Sequence, residues 1–171
     1  MFQAEIRIPK DRIAVLVGTK GTMRRTIEKK TSTHLRISKE GEVTISSDDN
    51  LYVYVTTMIV RAIGRGFNPR IALQLWNEEN TLEVLDIRDF SGKSEKKLHR
   101  IKSRLIGTQG KARHIIEKNT MTTIIVYGKT VSVIGKVDDV TVARRALEKL
   151  MQGSPHTNVY NFIDTLKKRS R

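Results

Sequence analysis

Shifted by 89 residues, the chain meets its own sequence. Leu16, Gly18, Thr19 and Gly21 fall on Leu105, Gly107, Thr108 and Gly110, with Val17 facing Ile106. Ile27, Glu28, Lys29, Thr31 and Thr33 then fall on Ile116, Glu117, Lys118, Thr120 and Thr122. An internal repeat of this kind restricts the fold to copies of one supersecondary unit. A length of 171 residues is enough for two small domains, so the repeat predicts two.

Each copy reads as a helix, a Gly-x-x-Gly turn and a second helix. Ile13, Leu16 and Val17 have the i, i+3, i+4 spacing of one apolar helical face, as do Leu98, Ile101, Leu105 and Ile106. Glycines three apart leave a turn that a bulky partner can approach down to the backbone. The helix that starts there points free N–H groups and the positive end of its dipole at whatever lies over the glycines. Such a site suits phosphate.

The charge around both turns agrees. Residues 10–39 carry nine Lys/Arg against Asp11 and Glu28, and residues 93–129 carry ten against Glu95 and Glu117. Over the whole chain 32 Lys/Arg face 18 Asp/Glu, a formal net charge of +14, which favours an anionic partner. No apolar run approaches the roughly 20 residues of a transmembrane helix, and no signal peptide opens the chain, so the expected partner is not a membrane and the expected location is the cytoplasm.

Other chemistries find little support. Without cysteine there is neither disulfide nor thiolate metal site, and His34, His99, His114 and His156 lack metal-ligand spacing, so no metal and no cofactor is expected. No carboxylate pair recurs at a glycine turn, and the turns lack the Gly-Lys-Ser ending of a phosphate-binding P-loop. No enzymatic activity is expected.

Gly18-Thr-Lys-Gly21 and Gly107-Thr-Gln-Gly110, each after an apolar pair and before Ile-Glu-Lys, resemble the GxxG loop of the KH (K-homology) family. The resemblance implies a loop that clamps the backbone of about four single-stranded nucleotides, with their bases in an adjacent apolar groove. The order of elements fits. Strands are expected at Glu5–Pro9, His34–Ser38 and Val43–Ser46, the last two joined by the turn at Lys39–Glu42, and a helix capped by Asp49 or Asn50 should run to about Ile63. Strand, helix, loop, helix, strand, strand, helix is the order of the type I KH fold.

In the second copy a strand is expected over Thr81–Phe90 and helices over Glu95–Ile106 and Lys111–Asn119. A hairpin over Thr122–Ile134 and a helix from Asp138 to Gly153 follow. The fold class is therefore α+β, two tandem type I KH domains (βααββα), each a three-stranded antiparallel sheet covered by helices on one face. The expected organisation is a first domain over 1–66, a linker helix over 67–80 that packs the domains, a second domain over 81–153, and a C-terminal helix and basic tail over 154–171. Trp76 on the linker helix is read as packing rather than base stacking.

The likeness extends beyond the generic domain. Ala62-Ile-Gly-Arg-Gly-Phe67 with Ala72-Leu73, the strand ending Asp86-Ile87, Ser103-Arg-Leu-Ile-Gly107, Ala143-Arg-Arg-Ala-Leu147 and Gly153-Ser-Pro-His-Thr-Asn-Val-Tyr160 are similar to one two-KH ribosome-assembly family, the partners of the Nob nuclease. Without the long N-terminal extension of the eukaryotic members, the archaeal form is the better match. The resemblance implies single-stranded RNA binding near the 3′ end of 16S-type small-subunit rRNA during precursor maturation. It also implies as partners the endonuclease that cuts there and other assembly or initiation factors.

The RNA-binding residues expected on this reading are, in the first unit, Leu16, Val17, Gly18, Thr19, Lys20, Gly21, Arg24 and Arg25. In the second they are Arg104, Leu105, Ile106, Gly107, Thr108, Gln109, Gly110, Lys111, Arg113 and Ile125. Lysines and arginines would neutralise phosphate, and the apolar residues would seat bases. Two positions depart from the family pattern. The second loop has Gln109 where a cation is usual and finds one only at Lys111, and Arg24 and Arg113 stand where an apolar residue is usual. Either the grooves are more polar than average or these arginines contact RNA directly. The second copy, closer to the family, is the expected main reader. Two rival functions remain at this level: a scaffold that docks the processing nuclease, and a general single-stranded nucleic-acid binder.

Overall fold

The computed structural model describes residues 1–170 and divides into two compact units, with the boundary between Asn80 and Thr81. Of the expected basic tail, Arg171 lies outside the described residues, while Lys167, Lys168 and Arg169 form the last turn of a helix.

The first unit runs β1 (Phe2–Arg7), α1 (Ile13–Val17), α2 (Thr22–Thr31), β2 (His34–Ile37), β3 (Glu42–Ser47) and α3 (Asn50–Gly64). The short α4 (Pro69–Ala72) and a 3-10 turn at Leu73–Trp76 complete it. Its sheet has the order β1-β3-β2, with β3 antiparallel to both neighbours. The pleat sends alternate residues to opposite faces. Thus Val43, Ile45 and Leu35 are buried, while Glu42 and Arg36 are exposed. Helix α3 lies across β1 and β3 and turns Val53, Ile59, Val60 and Ile63 into the core. Each such side chain contributes about 1.5–3 kcal/mol on burial. Asp49 caps α3 by accepting the Leu51 N–H at 2.8 Å, and Asn68 does the same for α4 through the Arg70 N–H at 2.9 Å. The expected linker helix belongs to this first unit, where the Trp76 ring lies 5.3 Å from that of Tyr52 on α3.

The second unit repeats the plan with β4 (Asn80–Asp86), α5 (Arg88–Ser91), α6 (Glu95–Ile106), α7 (Lys111–Thr120), β5 (Thr123–Tyr127), β6 (Thr130–Lys136), α8 (Val137–Met151) and α9 (His156–Arg169). The sheet order is β4-β6-β5, with β5 and β6 antiparallel. Here the strand expected to reach Phe90 stops at Asp86. Its carboxylate accepts the Arg88 N–H at 2.9 Å and the Arg88 guanidinium at 2.6 Å, an Asx-type turn that bends the chain out of the strand into α5. The same guanidinium holds the Asp86 carboxyl below the usual carboxylate range. Helix α9 is no detached tail, since its Val159 and Ile163 are fully buried in the core with Leu147 and Leu150 of α8.

Several repeated identities prove to be architecture. Thr31 donates its hydroxyl to the Ile27 carbonyl and lies 2.7 Å from the Thr33 hydroxyl; Thr120, Ile116 and Thr122 reproduce this arrangement. Between the threonines, Ser32 and Met121 end their helices in the left-handed conformation, at φ 54° and 56°. Glu28 accepts the Leu35 N–H at 2.9 Å and Glu117 the Ile124 N–H at 2.8 Å, joining the second helix of each repeat to its strand.

Candidate nucleic-acid interface

The glycine turns take one conformation twice. Gly18 has φ 74° and ψ 173°, Lys20 φ 56° and ψ 28°, and Gly21 φ 75° and ψ 15°. Gly107, Gln109 and Gly110 have 75° and 175°, 55° and 29°, and 75° and 13°. A Cβ on Gly18 would come within 2.7 Å of the Met23 backbone nitrogen, and one on Gly107 within 2.7 Å of that of Ala112. The first glycine therefore lets the turn fold down onto the helix that follows.

The helices that leave the turns start without a side-chain cap, unlike α3 and α6, which are capped by Asp49 and Ser94. In place of a cap stand glycines, so the positive ends of α2 and α7 face outward over bare backbone. Thr19 and Lys20 on one turn, and Thr108, Gln109 and Lys111 on the other, are exposed, as is Arg25 further along α2. This places a cation beside each turn, Lys20 in the first and Lys111 in the second.

The structure separates the apolar residues expected to line the grooves. Val17, Ile106 and Ile125 are half-buried and keep surface that a base could cover. Leu16 and Leu105 do not line a groove: they are 0% and 1% exposed, turned into the cores of their units. Arg104 is likewise committed to the protein. Its guanidinium donates to the Leu150 and Ser154 carbonyls at the C-terminal end of α8, as that of Arg12 donates to Ile63 and Phe67 after α3. These arginines add a donor at the end of a helix, to the Ile63 and Leu150 carbonyls that also accept a backbone N–H and to the Phe67 and Ser154 carbonyls just past it. No sequence signal announced this, because the partners of Arg104 lie 46 and 50 residues away.

Arg113 crosses from α7 to β5. Its Nη1 donates to the Ile124 carbonyl at 3.3 Å and lies 4.0 Å from the Glu117 carboxylate. In the first unit the Nε of Arg24 is enclosed without a hydrogen-bond partner. Where an apolar residue is usual, each unit therefore has a half-buried guanidinium on the helix that follows its turn. Next to each stitching glutamate stands an imidazole, with Nδ1 of His34 3.6 Å from Glu28 and Nδ1 of His114 3.6 Å from Glu117. His34 was not singled out by sequence, since the two histidines occupy different positions in the repeat. Among the described residues no cluster of His, Cys, Asp and Glu could hold a metal ion, and no helix is long and apolar enough to cross a membrane.

Two units, each with helix, Gly-x-x-Gly turn and helix beside a sheet whose third strand is central, define a tandem KH protein of type I. Comparison with known proteins agrees. The family described as eukaryotic-type KH domain (KH-domain type I), that of the second KH domain of PNO1, matches residues 81–168, and the general KH domain matches residues 3–53. The KH domain-containing protein MJ0443 of Methanocaldococcus jannaschii is 44% identical over 163 residues, covering 93% of this chain and 71% of that protein. The crystal structure of Dim2p from Pyrococcus horikoshii OT3 superposes with a TM-score of 0.90 at 42% identity, covering 96% of this chain and 99% of that one. The same protein in an a/eIF2alpha–aDim2p–rRNA complex also gives 0.90 at 42%, covering 98% and 95%. The RNA-binding protein pno1 of Ixodes scapularis is 33% identical over 111 residues, and these span 64% of this chain but only 47% of that protein. The chain belongs to the KH family and, within it, to the two-KH Dim2/PNO1 group.

Proposed function

We propose that this protein binds single-stranded RNA at the 3′ end of small-subunit rRNA, in the cytoplasm, while the precursor is being matured. It acts there as a non-catalytic holder beside the nuclease that cuts. The observation that carries this reading is the pair of Gly-x-x-Gly turns with matching backbone angles, each at an uncapped helix start with a cation beside it. The chain's full-length likeness to a protein found in complex with rRNA supports the choice of RNA. The turn backbones and Lys20, Lys111 and Arg25 take the phosphates and fix position. Val17, Ile106 and Ile125 take bases, and Arg24 and Arg113 add donors at the groove.

That relative's complex also contains a/eIF2alpha, which favours a second role as a docking partner for translation or assembly factors. The two roles are compatible, because a protein surface need not occupy the glycine turns. The test is binding of a short RNA covering the small-subunit 3′ end against a scrambled RNA of equal length. The reading predicts at least about tenfold preference for the ribosomal sequence, equivalent to roughly 1.4 kcal/mol. Equal binding of both, falling steeply with salt, would make the protein a general electrostatic binder instead.

A further inference from the structure

Beside its glycine turn the second unit has a cleft of about 510 Å³, of which the reading above uses only the turn and Lys111. Arg100 of α6 and His156 and Tyr160 of α9 line it, and Gly107, Thr108 and Lys111 are shared with the turn itself. No carboxylate lines it. Arg100 and Lys111 are exposed and make no ion pair among the described residues. Cations that no acid neutralises, in a concave site, focus positive potential on whatever enters.

The α9 wall is built to meet a polar ligand. The His156 Nε2 lies 2.9 Å from the Arg104 carbonyl, which fixes the ring and leaves Nδ1 without a partner among the described residues. The Tyr160 ring stands 6.3 Å from the His156 ring, tilted by 55°, and packs against the core along one side. The Tyr160 hydroxyl is a donor at neutral pH, and burial pushes it further above its ordinary pKa. Two half-buried rings, lining one cleft with two cations that make no ion pair among the described residues, match the parts of a nucleotide: a base to stack and a phosphate to neutralise.

We propose that this cleft is a second RNA subsite, which takes nucleotides that continue past the glycine turn on the side away from Ile125 and Arg113. It rests on the reading that the turn binds RNA. A strand lying over Gly107 and Thr108 is already at the mouth of the cleft, so continuity favours RNA over an acidic protein segment. The footprint of the second unit then exceeds the four or so nucleotides of a single KH groove.

The test uses the full chain and three RNAs: a four-nucleotide segment, and the same segment lengthened by four nucleotides at its 5′ or its 3′ end. One extension is expected to tighten binding at least about tenfold. Arg100→Glu should abolish that gain, whereas Lys96→Glu, an equal charge change at the exposed start of α6, should preserve it. No gain from either extension, as for a cleft that takes an acidic protein segment, would overturn the proposal. So would a gain that survives Arg100→Glu or is lost equally with Lys96→Glu. If the short RNA itself fails to bind, or binds equally well to Gly110→Asp, the underlying reading of the turn fails instead.

Discussion

The two glycines of each turn have different jobs. In the second unit both have φ 75°, a region that costs a residue with a side chain about 1–2 kcal/mol. At Gly110 that is nearly the whole cost, because the nearest atom to an added Cβ is Nη2 of Arg113 at 3.9 Å, an ordinary van der Waals contact. At Gly107 the Cβ would also strike the backbone nitrogen of Ala112 at 2.7 Å and its Cβ at 2.8 Å. Gly110→Ala should therefore lower stability by about 1 kcal/mol and Gly107→Ala by about 3 kcal/mol or more in urea unfolding. Equal losses would mean that the first glycine is not held against α7. The half-buried second glycine, where an added side chain meets little, is the one to change when RNA contact is tested.

At the scale of elements, α9 shows where sequence reasoning stops. Its existence was legible as a C-terminal helix within 154–171, but that Val159 and Ile163 would be covered by protein was not. The apolar face of α6 posed the same question. Leu105 and Ile106 both belong to it, yet one is in the core and the other only half-buried, a difference of helix rotation that spacing alone does not resolve. The glycine turns were legible because two of the three positive-φ positions in each are glycines, the residue that takes that conformation without strain. The repeated Ile, Glu and Thr positions were legible as a repeat and not as structure, because their partners are backbone atoms of a strand and a helix turn. The turn at Asp86 was missed because the alternating residues through Ile87 outweighed one acid at the strand end. Because Ile163 is fully buried, Ile163→Ala should cost about 2–4 kcal/mol in unfolding of the second unit. A loss under about 0.5 kcal/mol would return α9 to the status of an appended tail.

For the whole molecule, the formal charge of +14 ensures attraction to any polyanion, so affinity alone says little about the mechanism. The proposed glycine-turn mechanism differs from such attraction in requiring bare backbone at particular places. Two grooves on one chain also raise effective concentration for an RNA that reaches both, so loss of one turn should weaken binding without abolishing the electrostatic remainder.

The most direct measurement is the affinity of the full chain for the small-subunit 3′ RNA at ~0.15 M salt, where the Debye length is about 8 Å, with Gly21→Asp and Gly110→Asp beside the parent protein. Each substitution places bulk and negative charge where phosphate should pass. The account predicts that Gly110→Asp weakens binding at least about tenfold while unfolding shifts little, with a smaller loss for Gly21→Asp. Unchanged affinity in both variants would contradict the claim that the glycine turns hold the RNA.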